Sequence, residues 1–290
     1  TEIYTLSLHD ALPISDGTSE GSVENGAKIG TVIGCKTCHS AEAIAKTEVA
    51  FPSGKTVGGL GASARCMICH QGTAAGKTVS DALAAITPPL ADDDTVSTAI
   101  RFTNVHYMAA GATAMGANAS GGFEYTGKTY DHAFQHEAGL NTYVSCHDPH
   151  SGKVKTTTCK TCHTLGDGDD TKIIRANGSV PDYNGNGNTT EGIYQEIEGL
   201  KEKLYDAIQA YAATKSGTPI VYAESSYPYW FIDTNANGAG DAGELVSSNG
   251  YKSWTARLVK AAYNYQFATK DPGAYAHNAK YIIELLTDSI

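Results

Sequence analysis

The chain has 290 residues, with 31 acidic side chains against 21 Lys and Arg, a formal net charge of -10 and 41% hydrophobic residues. That length suffices for one large or two ordinary domains with a conventional core, and the acidic balance argues against a nucleic-acid surface, which needs clustered Lys and Arg to neutralise phosphates. No apolar run approaches the roughly 20 residues that a membrane-spanning helix requires.

Residues 1–34 read as an N-terminal arm. Within it Thr5 to Ile14, "TLSLHDALPI", resembles the translation of a common short-read sequencing adapter in one reading frame. Residues 1–14 are therefore suspected to be an assembly artefact that overwrites the authentic start and its secretion signal; the alternative is a genuine arm. His9 is set aside for that reason.

Residues 35–163 carry all seven cysteines, in four groups: Cys35-Lys-Thr-Cys38-His39, Cys66-Met-Ile-Cys69-His70, the incomplete Cys146-His147, and Cys159-Lys-Thr-Cys162-His163. The grouping leaves no cysteine over for a disulfide. The segment is rich in Gly, Ala, Ser and Thr and poor in long apolar stretches, so its side chains alone should hardly build a core; loops, short helices and turns are expected there. Residues 164–190 turn to Asp, Asn and Gly and read as a linker with candidate ion sites.

Residues 191–290 read as a small helical unit. Ile193, Ile197, Leu200, Leu204, Ile208 and Tyr211 recur at spacings of three and four, predicting an amphipathic helix from about Glu191 to Thr214. Trp254, Leu258, Ala261 and Tyr265 repeat the pattern until Asp271-Pro272-Gly273 stops it, and Tyr275 to Asp288 reads as a final helix.

The order Cys-x-x-Cys-His points to covalent haem c. Two thiols add across the two vinyl groups on one haem edge, and the imidazole of the next residue reaches the iron from one face. A zinc site built from paired Cys-x-x-Cys knuckles is the bland alternative, but zinc does not require a histidine directly after each second cysteine. The predicted cofactor-binding residues are Cys35, Cys38, Cys66, Cys69, Cys146, Cys159 and Cys162, with His39, His70, His147 and His163 proximal to iron. Haems stacked in this segment would supply the apolar bulk that it lacks, so the expected fold class is a multihaem cytochrome c: mostly loops and short helices wrapped around stacked haems, then the C-terminal helical unit, with little β.

A low-spin electron-transfer haem needs a second axial ligand, usually another neutral imidazole. Five histidines remain for four places: His106, His132, His136, His150 and His277. Pro149 stiffens the link from His147 to His150, which suits His150 to a neighbouring haem. His132 and His136 compete within "YDHAFQH". Met108 and Met115 could serve as ligands, although packing is the simpler role.

A cation loop is also predicted. Asp233, Asn235, Asn237, Gly238, Asp241 and Glu244 occupy positions 1, 3, 5, 6, 9 and 12 of an EF-hand-like pattern, with the Ala239 carbonyl at position 7. A structural Ca2+ is the expected occupant. A weaker partial loop comprises Asp182, Asn184, Asn186, Asn188 and Glu191.

The stretches "VHYMAAGATAMG", "YTGKTYDHAFQHEAGLNTYVSCHDPH", "CKTCHT" and "AYAHNAKYIIELLTDSI" resemble those of the OmcE-type tetrahaem c-type cytochromes, which polymerise into extracellular nanowires; the likeness runs from about Cys35 to Ile290. It implies four haems c, all bis-histidine ligated, in one continuous chain, with subunits stacked head to tail and an axial histidine sometimes supplied by the adjacent subunit. It also selects His136 over His132, so that the distal set becomes His106, His136, His150 and His277. The implied partners are copies of the chain, redox proteins and extracellular electron acceptors. The implied location is extracellular, reached through the periplasm, and the role is electron transfer rather than catalysis.

One departure is Tyr143, where that family carries the leading cysteine of the third motif. A haem attached there through Cys146 alone, held by two imidazoles, is expected; an empty third site is the alternative. A soluble periplasmic electron shuttle, or a multihaem reductase with one open iron position, are the competing functions.

Overall fold

The computed structural model describes residues 34–106, 108–175 and 181–290. Apart from Gly34, the N-terminal arm and its adapter-like stretch lie outside the described residues.

The Cys-rich part is built of short pieces. They are α1 (Cys35–His39), α2 (Ala41–Ala45), α3 (Ser63–Cys69), α4 (Gly76–Ala84), α5 (Ala110–Met115), α6 (Tyr143–Cys146) and α7 (Thr156–Cys159). Between α2 and α3, β1 (Val49–Ala50) pairs antiparallel with β2 (Thr56–Val57), Val49 opposite Val57. The rest holds three longer helices: α8 (Ile193–Tyr211), α9 (Ala256–Thr269) and, beyond the one-turn α10 (Ala274–His277), α11 (Ala279–Ser289). A second antiparallel ribbon, β3 (Ile220–Tyr222) with β4 (Trp230–Ile232), lies between α8 and α9. The described chain is thus mainly helix and loop with two small sheets.

Helix α8 buries Ile193, Glu196, Ile197, Leu200, Leu204 and Ile208, the spacing that gathers apolar side chains on one face. That face meets α9 and α11. The Thr255 hydroxyl starts α9 by accepting the Leu258 N–H at 3.1 Å. The single helix predicted over Tyr275–Asp288 is in fact two. Asn278, at φ -167°, leaves helical geometry and its side chain caps α11 by accepting the Tyr281 N–H at 3.2 Å, while its amide donates to the His132 carbonyl at 2.8 Å. Satisfying both partners breaks the helix directly after His277.

The expectation of a nearly coreless Cys-rich segment is corrected. Val49, Phe51, Ala64, Met67, Val79 and Val105 are buried in the same hydrophobic cluster as Leu204, Phe267 and Leu285. Its many small residues have a packing role. A Cβ on Gly111 would come within 2.9 Å of the His70 carbonyl, which accepts the Gly111 N–H at 2.6 Å. The backbone of α5 thus seats directly on the end of α3. Packing crosses the compositional boundary at residue 190, since α4 lies on α9 and α10 on α5.

Candidate haem sites

Each Cys/His group sits on or at the end of a short helix. On a helix, residues three apart share one side, so Cys35 and Cys38 on α1, and Cys66 and Cys69 on α3, present their thiols together with the histidine next in line. The Thr142 hydroxyl starts α6 by accepting the Ser145 N–H at 3.3 Å. Past α7 the turn continues, with the Cys159 carbonyl accepting the N–H groups of Cys162 at 3.2 Å and His163 at 2.9 Å. None of the seven cysteines is paired in a disulfide. Burial raises the thiol pKa of Cys66 and of Cys146.

Six of the eight predicted axial histidines come together in pairs. The imidazole centroids of His39 and His150 are 6.2 Å apart, those of His136 and His163 6.0 Å, and those of His147 and His277 6.3 Å. Rings in face contact would stand at about 3.5–4.0 Å. With a metal–imidazole bond of about 2 Å on each side, and about 1 Å from ring nitrogen to ring centre, two opposed ligands of one metal have centroids about 6 Å apart. The three pairs therefore have the separation that an intervening iron needs, and the residues present fit the group. Each pair joins a motif histidine to one from elsewhere in the chain.

His70 and His106 are the assigned histidines outside these three pairs. Burial, then the nearby His277 charge, lowers the pKa of His70, which favours the neutral form that binds metals. His106 stands at φ 69°, a left-handed conformation. Its N–H is held by the Asn104 side-chain oxygen at 3.0 Å, and the preceding Val105 N–H by Gln266 at 2.9 Å. His132 instead ties a loop, with Nδ1 2.8 Å from the Asn118 side-chain oxygen. Met108 is exposed, and Met115 packs against the core.

The incomplete motif has an unusual interior. The Tyr143 N–H donates to the Ser63 hydroxyl on α3 at 3.2 Å, and its ring centroid is 6.3 Å from that of His147. Its hydroxyl is buried with no hydrogen-bond partner among the described residues. Burial drives the Tyr143 pKa well above the phenol range, and the charges of Asp271 and Cys66 add to the rise.

Sequence reasoning missed two residues around His277, having read Asp271-Pro272-Gly273 only as a helix stop. Asp271, 2% exposed, sets both carboxylate oxygens 2.9 Å from His277 Nδ1. A Cβ on Gly273 would come within 2.5 Å of His277 Cε1, so only glycine leaves room for the ring. Burial pulls the His277 pKa down, but the charge and hydrogen bond of Asp271 outweigh it and leave a net rise.

The two candidate cation loops repeat one turn. Asp233 accepts the N–H groups of Asn237 at 3.2 Å and Gly238 at 2.8 Å; Asp182 accepts those of Asn186 at 3.1 Å and Gly187 at 2.6 Å. Glu244 accepts the Thr234 N–H at 2.6 Å, and the Asn235 and Asn237 amides donate to Asp241 at 2.8 and 3.0 Å. Among the described residues no group of three or more His, Cys, Asp or Glu is gathered closely enough to hold a metal ion.

No protein-family model and no solved structure matches the chain. Over 242 residues, 78% of its length, it is 31% identical to the C-type polyheme cytochrome OmcB of Geobacter sulfurreducens, in two strains. Over 238 residues it is 30% identical to the C-type polyheme cytochrome OmcC of the same species. The chain spans 30% of the length of OmcB and 29% of that of OmcC. It is therefore a homologue of polyhaem c-type cytochromes, and this likeness, carried on a chain with Cys-x-x-Cys-His motifs, supports a multihaem cytochrome family and covalently bound haem c.

Proposed function

We propose that the chain is a tetrahaem electron conduit that stacks head to tail into an extracellular filament. The observation that carries the electron-conduit part of this reading is the set of three imidazole pairs at 6.0–6.3 Å, each joining a motif histidine to a distant one; the head-to-tail stacking rests on the sequence resemblance to OmcE-type cytochromes. Bound haem supplies reversible one-electron chemistry. In this reading Cys35 and Cys38, Cys66 and Cys69, Cys146 alone, and Cys159 and Cys162 anchor the four groups. His39 with His150, His147 with His277, and His163 with His136 are the axial pairs, leaving His70 and His106 for the second haem, within one chain or between neighbours. With both axial places of three irons occupied by protein, those positions are closed to a substrate, which favours a conduit over a reductase. End-to-end contacts that do not close into a ring generate an open filament. Among the described residues no helix is long and apolar enough to cross a membrane. Redox proteins would feed the filament, and extracellular acceptors would drain it.

The deciding experiment is cryo-electron microscopy of the secreted fraction at a resolution that shows haems. The expected image is a filament with four haems per subunit and density joined to Cys146 alone at the third. Dispersed particles would refute the polymer in favour of a soluble shuttle, and a void beside His147 would refute the single-thioether haem.

The loop Asp233–Glu244 is proposed to hold a structural Ca2+, with Asp233, Asn235, Asn237, the Ala239 carbonyl, Asp241 and Glu244 as ligands. Its support is the Asp233 carboxylate accepting the N–H groups of the fifth and sixth loop residues. Ca2+ at about 100 times its Kd should stabilise the protein by about 2.7 kcal/mol, and Asp233→Ala should abolish that gain. Melting curves indifferent to Ca2+ would remove it.

A further inference from the structure

Resting on the haem reading above, we propose that Asp271 tunes the iron bound by His147 and His277, holding the third haem at a more reducing potential than it would have without that carboxylate. Asp271 and His277 form a carboxylate–imidazole pair. It is also enclosed. Asp271 has 1% of its side chain exposed, and its Oδ1 further accepts the Gly273 N–H at 3.0 Å. The segment is rigid for a local reason: the Asp271 carbonyl accepts the Ala274 N–H at 3.0 Å and the Gly273 carbonyl accepts the His277 N–H at 3.0 Å. Carboxylate and imidazole are thus held on one short turn, with the Gly273 backbone against the ring.

Two physical effects act in the same direction. A carboxylate accepting the Nδ1 proton fixes the tautomer that leaves Nε2 for the metal and raises the basicity of the imidazole, which strengthens its donation to the oxidised iron. Reduction adds one electron and lowers the charge at the iron by one; a buried anion opposes that change, and the low local dielectric keeps its field strong. His147, the other member of the pair, has Nδ1 3.4 Å from the neutral Gly152 carbonyl, so the asymmetry lies on the His277 side. Asp271 acts through His277 and is a positioning residue. In a chain of haems, a more reducing member is a step that an electron must climb, so Asp271 would set the height of that step at the third haem.

The test is spectroelectrochemical titration of the haem-loaded full chain and its Asp271→Asn variant. Asparagine keeps an oxygen for the Gly273 N–H and loses the charge. The expected result is that one of four components moves to more positive potential, with at least a tenfold change in its reduced-to-oxidised ratio at fixed poise, about 59 mV for one electron. A purely structural role would leave all four components in place or move them together, and either result overturns the proposal. Should Asp271→Asn fail to mature, Asp271→Ser keeps a small oxygen acceptor for the Gly273 N–H and likewise removes the charge; the same component should move positively, and an unchanged titration overturns the proposal. Failure of the underlying haem reading is separately visible, because the wild-type chain would then show fewer than four covalent haems in a pyridine haemochrome assay.

Discussion

Replacing His106 by glycine and by alanine separates its backbone from its side chain. At φ 69° a Cβ is crowded, and the left-handed region costs a non-glycine residue about 1–2 kcal/mol. Glycine escapes that cost but loses about 0.5–1 kcal/mol more backbone entropy on folding. The net expectation is that His106→Gly is more stable than His106→Ala by about 0.5–1 kcal/mol. The comparison is internally controlled, since both variants delete the imidazole and its contact with Asn104, while the Val105 bonds to Gln266 and Thr73 remain. Denaturant titrations of the two haem-loaded variants measure the difference. Alanine equal to or above glycine in stability would refute the strain argument. The same samples test the ligand role: in each, one haem in four should become high-spin and bind carbon monoxide, whereas fully low-spin spectra in both would remove His106 from the axial set.

Tyr143→Cys should restore the leading thiol of the third motif and permit a second thioether there, which removes one vinyl from conjugation and shifts the pyridine haemochrome band to shorter wavelength. An unshifted band would refute single-thioether attachment in the parent. Glu196→Gln strips the negative partner from Arg175: the buried carboxylate accepts Arg175 Nη1 at 2.6 Å and the N–H groups of Tyr183 and Asn184 at 2.9 Å. Breaking a buried pair costs about 3–5 kcal/mol, so a loss below about 1 kcal/mol in a urea titration would mean that the pair is solvated. Alkaline stability offers a further test. Burial, foremost, pushes Tyr251 and Tyr265 up to about 12 against an ordinary 10. A raised pKa means that the folded state retains its proton longer, so the stabilisation is complete below pH 10 and disappears as pH rises through about 12. Phenolate absorbance developing together with loss of helix between those limits would agree; ionisation near pH 10 in a still-folded chain would not.

What could be read from the sequence was what is local. A thiol three residues from another, followed at once by histidine, is a pattern of covalent neighbours, so the four Cys/His groups and the anomaly at Tyr143 need no fold to be visible. The periodic burial of α8 and α9 is local in the same sense, because helical geometry alone places Ile193, Ile197, Leu200 and Leu204 on one face. The separate α10 and α11 were not legible: Asn278 breaks the helix because the His132 carbonyl, far away in sequence, takes its amide. The core of the Cys-rich part was misjudged for a similar reason, since its apolar residues join one cluster with those of the long C-terminal helices, and the Val105 N–H is bound by Gln266 on α9. Only the tertiary structure decided which histidines face each other, as in His39 with His150 and His147 with His277. It alone also held the Asp271 carboxylate against the His277 ring with the chain turned at Gly273. Pairing across space depends on how the packed helices bring distant loops together, and residue spacing along the chain carries no record of that distance.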